Sequence, residues 1–247
     1  MISRVGGKSK LKKVIVGMMP PHETYVEPFV GGGHVFMYKD PVKNNIINDK
    51  DKDIADIWKD EKDIGDKMIG KDFTPSREKF AKLKNQKSFS SKEDRLYRNL
   101  FLSIGSFSGN RDTFVGDKEL VTYKAGVEWG KKYKTSKWKD YLNENKVKIL
   151  NQDYQSVIKK YDSPTTLFYL DPPYSKSTRD YKENVGVTPQ QVFNALQGIK
   201  GKFILSYDFS PEVKKVFEKY RKKIVTTAYE QSGHQQKGKK EYLIMNF

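Results

Sequence analysis

The chain has 247 residues, with 47 Lys and Arg against 31 Asp and Glu, so its formal net charge is +16. Such a basic chain favours a polyanionic partner, and nucleic acid fits both the charge and the aromatic content of 13%. Because there is no cysteine, the sequence excludes disulfides, thiolate zinc sites and a cysteine nucleophile. The three histidines show no HxxxH or HExxH spacing, which argues against a zinc hydrolase, and we predict no metal.

The sequence also argues against a membrane location. It contains no run of 18 apolar residues, and its first residues lack the apolar core of a signal peptide. We therefore expect no membrane partner and a cytoplasmic protein.

The first 50 residues predict the opening of an α/β fold. Residues 24–30 form a short apolar run that predicts a strand, Gly31, Gly32 and Gly33 follow it, and residues 34–38 have the pattern of a helix start. Residues 46–49 predict a second strand that ends in the acid Asp49. A strand, a glycine turn, a helix and a strand ending in an acid are typical of dinucleotide-binding folds.

The glycine turn is a candidate cofactor site. Glycines let a bulky ligand approach the backbone closely, and an acid at the end of the next strand commonly binds ribose hydroxyls. Asp49 follows Gly33 by 16 residues and ends the next predicted strand. The plain alternative is a tight turn without a ligand. The turn does not match GxxxxGK[ST], so the predicted ligand is a nucleoside without a triphosphate.

Residues 56–145 differ from the segments on either side, because they are charged and predict mostly helix. Strand character returns at residues 146–150. Two later helices are marked by Thr188-Pro189 and Ser210-Pro211, with a hydroxyl N-cap and proline at the first helical position. We therefore predict one α/β core, residues 1–55 and 146–247, that carries a helical insertion at residues 56–145.

The most specific motif is Asp171-Pro172-Pro173-Tyr174, which follows the apolar residues 166–170. A buried strand that ends in this way presents a carboxylate, a backbone carbonyl and an aromatic face at one point. A carboxylate oxygen and the Pro172 carbonyl can each accept a hydrogen bond from an exocyclic NH2 group. Two such acceptors would draw the nitrogen lone pair out of conjugation with its ring. The alternative is a turn in which proline simply ends the strand.

These motifs resemble those of the Dam-like family of DNA adenine-N6 methyltransferases, over nearly the whole chain and in the order that the family calls alpha. The segments that carry the resemblance are Arg4–Lys8, Glu27–Gly33, Asn48–Asp49, Asp171–Tyr174, Asp180–Tyr181 and Lys240–Asn246. The resemblance implies a Rossmann-like S-adenosylmethionine-dependent methyltransferase core. The insertion would then be a mostly helical target-recognition segment that binds DNA.

The implied reaction moves a methyl group from S-adenosyl-L-methionine to the N6 amine of adenine in double-stranded DNA, which leaves S-adenosyl-L-homocysteine. The target base must be flipped out of the stack. Asp171 and the Pro172 carbonyl would hold the amine, and Tyr174 would stack on the base. The catalytic residues that the resemblance implies are Asp171, Pro172, Pro173 and Tyr174.

The resemblance also implies two sets of binding residues. The cofactor would be bound by Lys8, Glu27, Pro28, Phe29, Gly31, Gly32, Gly33, Asp49, Asp153, Asp171 and Tyr181. The DNA would be bound by Lys8, Phe107, Ser108 and Arg111, and the lysine-rich pattern of the sequence adds Lys131 and Lys132. Arg111 could donate two hydrogen bonds to a guanine. Residues 131–139 hold five lysines and no acid, which is typical of a phosphate-binding stretch, although a solvated helix face is about as consistent.

Several alternatives stay open at this point. Arg4 and Gln152 stand where the family often has aromatic residues, so a DNA-binding homologue without catalysis is the main rival. Methylation of cytosine N4, of adenine in RNA or of a glutamine amide uses similar chemistry. Methylation of cytosine C5 is excluded, because it needs a cysteine. The host would be a bacterium or a phage-infected cell, and a weak dimer on the DNA is left open.

Overall fold

The computed structural model describes residues 8–69, 71–106, 109–114, 135–174, 186–227, 230–231, 234–235 and 238–247. The described residues fall into two compact units. The helical unit consists of residues 31–33 and 49–151, and the sheet unit consists of residues 8–30, 34–48 and 152–247.

The described helices and strands alternate along much of the chain. The strands are β1 Thr24–Glu27, β2 Asn44–Asn48, β3 Lys148–Leu150, β4 Thr166–Leu170, β5 Lys202–Asp208, β6 Arg221–Thr227, β7 Glu230–Gln231, β8 His234–Gln235 and β9 Lys239–Met245. The helices are α1 Lys12–Val16, α2 Lys52–Ile64, α3 Arg77–Asn85, α4 Lys92–Ile104, α5 Thr135–Glu144, α6 Tyr154–Tyr161, α7 Pro189–Leu196 and α8 Pro211–Val216, with a 3₁₀ turn at Gly65–Met68. None of these helices is long and apolar enough to cross a bilayer.

The sheet unit is built on a mostly parallel sheet. Its strands follow the order β2-β1-β4-β5-β9-β6. Strands β2, β1, β4 and β5 are parallel, whereas β9 runs antiparallel to both β5 and β6. Every residue of β4 is buried, as expected for a parallel strand that is covered on both faces. This mixed α/β architecture confirms the predicted fold class.

The caps of two predicted helices are confirmed. Thr188 accepts a hydrogen bond from the backbone N–H of Gln191, whose side chain accepts one from the backbone N–H of Thr188. Pro189 occupies the first turn of α7. Ser210 caps α8 in the same way through the backbone N–H of Val213. These local signals act within one turn, so the sequence is sufficient to reveal them.

Two predicted boundaries near the glycine turn are wrong. The first strand ends at Glu27 and does not reach residue 30, since Pro28 has no N–H to offer to a neighbouring strand. Residues 34–38 form consecutive turns and not a helix. Only one backbone hydrogen bond of this segment has the i to i−4 spacing of an α-helix, from the N–H of Lys39 to the carbonyl of Val35. The glycine turn therefore does not lead into a helix N-terminus.

The helical unit is joined by side chains that cross between its helices. Arg95 of α4 makes two hydrogen bonds to the carboxylate of Asp60 in α2, at 2.8 and 2.7 Å. Trp58 of α2 stacks on Trp138 of α5, with ring centroids 5.0 Å apart and an interplanar angle of 6°. The predicted helical character of this region is thus confirmed within the described residues.

Asn48, the last residue of β2, joins two segments of the sheet unit. Its side-chain amide donates to the carbonyl oxygens of Pro28 and Gln152, at 2.9 and 3.0 Å. Its side-chain oxygen accepts the backbone N–H of Gln152 at 2.9 Å. The side chain is buried, so water cannot replace these bonds. Asn48 therefore fixes the chain after β1 against the chain before α6.

Substitution Asn48→Ala should lower the free energy of unfolding by about 3 kcal/mol, because it leaves several buried backbone groups without partners. Urea denaturation followed by circular dichroism measures the change. The matched control is Asn44→Ala on the same strand, where the exposed amide bonds only to Thr24. We expect that control to cost less than about 0.5 kcal/mol. Equal losses for the two variants would show that Asn48 has no special structural role.

Candidate active site

The predicted Asp-Pro-Pro-Tyr segment lies at the carboxyl end of β4 in the sheet unit. β4 is fully buried and pairs in parallel with β1 on one side and β5 on the other. Parallel strands bring their carboxyl ends to one edge of the sheet, which is where ligands bind in open α/β folds. Asp171 follows β4 directly, and Glu27 is the last residue of β1.

Lys8 connects three groups at this edge. Its Nζ lies 2.8 Å from Oδ1 of Asp171, 3.4 Å from Oε2 of Glu241 and 3.3 Å from the hydroxyl of Tyr174. The Lys8 side chain is only 5% exposed. Burial alone would lower the pKa of Lys8, but the negative charges of Asp171 and Glu241 outweigh burial and raise it. Lys8 is therefore a permanent cation in this cluster.

Asp171 is the most accessible charged member of the cluster, with 20% of its side chain exposed. Burial raises the pKa of the Asp171 carboxyl, and the Lys8 ammonium opposes that rise. Oδ1 of Asp171 also lies 3.5 Å from the Tyr174 hydroxyl, at the limit of a hydrogen bond. The salt bridge holds the carboxylate in one orientation at the strand end.

The two prolines and Tyr174 are held in different ways. The Pro173 carbonyl accepts the backbone N–H of Val187 at 3.1 Å. The Tyr174 ring stacks on Tyr207, with centroids 4.9 Å apart at 27°. No described residue donates a hydrogen bond to the Pro172 carbonyl. The strand end thus offers a carboxylate and a carbonyl oxygen that can accept hydrogen bonds from one planar amine.

Glu27 lies in a second buried group at the end of β1. Tyr25 donates a hydrogen bond of 2.6 Å to Oε2 of Glu27. Burial raises the pKa of Glu27 to about 8, although the hydrogen bond from Tyr25 opposes the rise. Burial also lowers the pKa of Lys39 to about 8, against the opposing charge of Glu27. The Lys39 ammonium lies 4.4 Å from the centre of the Tyr25 ring.

The glycine turn and Asp49 come together within the helical unit. The backbone N–H of Gly31 donates to Oδ2 of Asp49 at 2.9 Å, and the carbonyl of Gly31 accepts the Trp58 indole N–H at 3.0 Å. Gly33 has φ +64, and a Cβ atom placed there would lie 2.3 Å from the Trp58 ring. Glycine is needed at this position for both conformation and space.

Three of the predicted cofactor residues lie close together in the sheet unit, namely Pro28, Phe29 and Asp153. Asn48 ties Pro28 to Gln152, the residue before Asp153. Asp153 caps α6 by accepting the backbone N–H of Gln155 at 2.9 Å. The Phe29 ring contacts the ring of Tyr154 with centroids 5.0 Å apart. A carboxylate and an aromatic face are suitable groups for the edge and the face of a nucleobase.

Only some of the remaining predicted binding residues lie in the part of the chain that the structure describes. Arg111 forms an ion pair with Asp51 in the helical unit. Its predicted contact with guanine stays a prediction. Unlike Arg111, several predicted residues lie outside the described part of the chain, namely Tyr181, Phe107, Ser108, Lys131 and Lys132, together with Arg4. Among the described residues, no group of three or more His, Asp and Glu side chains is arranged to hold a metal ion.

Sequence reasoning missed several residues of these clusters. Glu241 and Tyr207 lie on β9 and β5 and reach the cluster only through sheet pairing. Trp58 lies 27 residues after Gly31, with no local motif to mark it. For Asn48, the sequence shows only a polar residue next to the acid Asp49. Its burial and its hydrogen bonds are visible only in the structure.

The fold and these clusters together define a class of protein. A mostly parallel α/β sheet, a glycine turn after β1 and the Asp-Pro-Pro-Tyr segment after β4 are the features of a Rossmann-like methyltransferase fold. Residues 5–232 match the family model of the D12 class N6 adenine-specific DNA methyltransferases. The match covers most of the chain, so the protein belongs to this family. The resemblance that the motifs predicted is thereby confirmed.

The chain is also similar to the Type II methyltransferase M1.LlaDCHI of Lactococcus lactis subsp. cremoris. The two sequences are 27% identical over 188 residues, which cover 68% of this chain and 63% of that relative. The chain therefore spans less than two thirds of the relative's length. This likeness agrees with the family and assigns no role to individual residues.

Substitution Gly33→Ala should lower the free energy of unfolding by about 2–3 kcal/mol, because it adds a clash with Trp58 to the strain of a positive φ. The matched control is Gly198→Ala. Gly198 has φ +73 but no atom within 4 Å of its added Cβ, so it isolates the backbone strain of about 1–2 kcal/mol. Chemical denaturation measures both variants. Equal losses would mean that the Trp58 ring moves aside without cost.

Substitution Glu27→Gln should flatten the pH dependence of stability between pH 5 and 8. In the unfolded chain Glu27 ionises near its ordinary value of 4.5, whereas in the folded chain it keeps its proton up to about pH 8. The folded state then binds more protons, so its stability falls as the pH rises through this window. The amide side chain of the variant cannot titrate between pH 5 and 8. The variant should therefore lose less stability over this range than the unmodified protein, as measured by urea denaturation at pH 5 and 8.

The matched control for the Glu27 experiment is Glu23→Gln, which changes an acid with 58% of its side chain exposed. We expect the pH dependence of this control to follow that of the unmodified protein. Parallel curves for the unmodified protein and Glu27→Gln would contradict the protonated state of Glu27.

Proposed function

We propose that this protein transfers a methyl group from S-adenosylmethionine to the N6 amine of an adenine in duplex DNA. The observation that carries the proposal is the pair between the buried Lys8 and Asp171, the residue that follows β4 and precedes Pro172. Membership in the D12 class of N6 adenine-specific DNA methyltransferases supports the same reaction. The proposal covers the activity, the substrate and the roles of individual residues.

The proposed role of Asp171 and Pro172 is to make a poor nucleophile reactive. The lone pair of adenine N6 is conjugated with the ring, so the free amine attacks weakly. A hydrogen bond from each N–H, one to the Asp171 carboxylate and one to the Pro172 carbonyl, orients the nitrogen and favours a tetrahedral geometry. As N6 forms its bond to carbon it gains positive charge, and the adjacent carboxylate stabilises that charge.

The proposed role of Lys8 is to orient Asp171. The Lys8 ammonium binds Oδ1 of Asp171, which leaves Oδ2 to accept from the amine. Glu241, also beside Lys8, offsets its positive charge, so the cluster does not repel a nitrogen that becomes cationic. When the new N–C bond has formed, N6 releases a proton, and the Asp171 carboxylate is placed to accept it.

Each unit, taken by itself, carries groups that suit one part of the proposed cofactor. S-adenosylmethionine supplies an electrophilic methyl group on a sulfonium, and its adenosine part carries ribose hydroxyls and an adenine. In the helical unit, Asp49 at the glycine turn would accept hydrogen bonds from ribose hydroxyls. In the sheet unit, Phe29 would lie against the adenine and Asp153 would accept from its amine. Glu27 would act indirectly, by holding the end of β1.

The target adenine would have to leave the DNA stack to reach Asp171, at a cost of a few kcal/mol. Tyr174 is the proposed stacking partner for the flipped base, and Tyr207 already supports one side of its ring. The insertion at residues 56–145 would contact the duplex, and the net charge of +16 favours binding to phosphates. We expect the protein to act on cytoplasmic DNA.

Substitution Asp171→Asn should lower methyl transfer roughly 100-fold or more, because the amide offers a donor where the amine needs an acceptor and removes the stabilising charge. The measurement is transfer of a tritiated methyl group to unmethylated DNA, followed by analysis of the labelled nucleoside. The expected product is N6-methyladenine. The matched control is Glu212→Gln, an exposed acid of the same unit, which should retain full activity.

The same experiment separates the rival functions. A protein that binds DNA and cofactor without turnover would be the silent homologue. Label in N4-methylcytosine, or transfer only to RNA or protein, would contradict the assignment of the substrate. Full activity of Asp171→Asn would contradict the role of its carboxylate.

A further inference from the structure

The side chain of Arg111 is buried against acids at the start of α2. Only 13% of it is exposed. Nη2 of Arg111 donates a short hydrogen bond to Oδ2 of Asp51, and Nη1 lies 3.3 Å from Oδ2 of Asp53. In this conformation the guanidinium is directed into the helical unit and is not available to read a base.

The backbone around Arg111 holds this arrangement in place. Arg111 has φ +61, a conformation that non-glycine residues rarely adopt. Its backbone N–H donates to the Ser106 hydroxyl at 2.8 Å, and Ser106 forms a β-bridge with Phe114. The loop at residues 109–114 is also joined to α3, where Lys84 pairs with Asp112 at 2.7 Å. Besides these backbone contacts, ion pairs anchor the loop at two places, the start of α2 and Lys84.

Asp51 connects Arg111 to the proposed cofactor acid. Oδ1 of Asp51 caps α2 by accepting the backbone N–H groups of Asp53 and Ile54. The backbone N–H of Asp51 donates to Oδ1 of Asp49 at 3.0 Å. The other oxygen of Asp49 accepts the N–H of Gly31 at 2.9 Å. A continuous series of contacts therefore runs from Arg111 through Asp51 and Asp49 to the glycine turn.

This series of contacts depends on Arg111 because its positive charge offsets the negative charges of the nearby acids. Asp49, Asp51 and Asp53 lie within five residues of one another, and like charges at such spacing repel. Arg98 pairs with Asp53 at 3.0 Å, and Arg111 pairs with Asp51. Without Arg111, Asp51 would lose the positive charge of that guanidinium, while Asp49 lies one hydrogen bond away. The start of α2 would then relax, and the carboxylate of Asp49 would move with it.

We propose that Arg111 is a positioning residue for cofactor binding, which acts through Asp51 to hold Asp49 and the glycine turn in their binding geometry. The proposal rests on the proposed role of Asp49 toward the cofactor ribose. It also links the loop at residues 109–114 to the cofactor.

The test is calorimetric titration of S-adenosylhomocysteine into the complete protein without DNA. Arg111→Ala should weaken binding about tenfold, a typical size for coupling between sites. Arg111→Lys keeps the charge and should recover part of the affinity. The matched control is Lys84→Ala, which removes the other anchor of the same loop and should bind S-adenosylhomocysteine as the unmodified protein does.

A double-mutant cycle identifies Asp51 as the intermediary. Asp51→Asn can still cap α2, but it removes the charge with which Arg111 pairs. Arg111→Ala should therefore weaken binding much less in the Asp51→Asn background than in the unmodified protein. A loss of affinity that merely follows lower stability would be equal in both backgrounds, and this outcome would overturn the proposal. Denaturation curves of all variants are compared for this purpose.

The remaining outcomes separate this inference from the proposed function. Unchanged cofactor affinity in Arg111→Ala, with weaker DNA binding, would make Arg111 a reader of DNA and overturn the inference alone. An equal loss in Lys84→Ala would assign the effect to order in the loop and also overturn it. An unmodified protein that binds no S-adenosylhomocysteine would overturn both the inference and the proposed cofactor.

Discussion

The ion pair between Lys8 and Asp171 is the interaction on which the candidate active site depends. A carboxylate at the end of a buried strand is costly unless a cation compensates it, since water cannot reach it fully. Lys8 supplies that compensation at 2.8 Å and is itself compensated by Glu241 at 3.4 Å. The same ion pair that offsets the free-energy cost of burial also holds the Asp171 carboxylate in one orientation. A flexible surface carboxylate could not hold an amine in one reactive geometry.

The residues that support the proposed sites are mostly polar groups buried in the interior. Asn48 fixes the segments that carry Phe29 and Asp153, and Trp58 lies against the glycine turn. Each makes hydrogen bonds with backbone groups, so each holds the position of the chain rather than a single side chain. Such residues tolerate little change, because a buried polar group that loses its partner cannot form a replacement hydrogen bond with water. The glycine turn is thus shaped by its surroundings as much as by its own flexibility.

Much of the fold could be predicted from local pattern. The apolar run at 166–170, the caps at Thr188 and Ser210 and the helical character of the insertion follow from interactions within a few residues. The predicted helix after the glycine turn was wrong, because an apolar pattern over five residues does not distinguish a helix from the consecutive turns that form there. The family resemblance indicated Lys8 as a binding residue, but it did not predict the contact of Lys8 with Asp171. No local rule relates residues that are 163 positions apart, whereas the structure places their charged atoms 2.8 Å apart.

The α/β class and the family could be predicted from the sequence, since each depends on short motifs whose meaning does not require distant residues. Which charged groups compensate one another became visible only in the folded chain. The fold paired Arg111 with Asp51, placed Glu241 beside Lys8 through the pairing of β5 with β9, and set Trp58 against Gly33. The physical reason is that burial and pairing of charge depend on distance in space, which the order of residues along the chain does not specify.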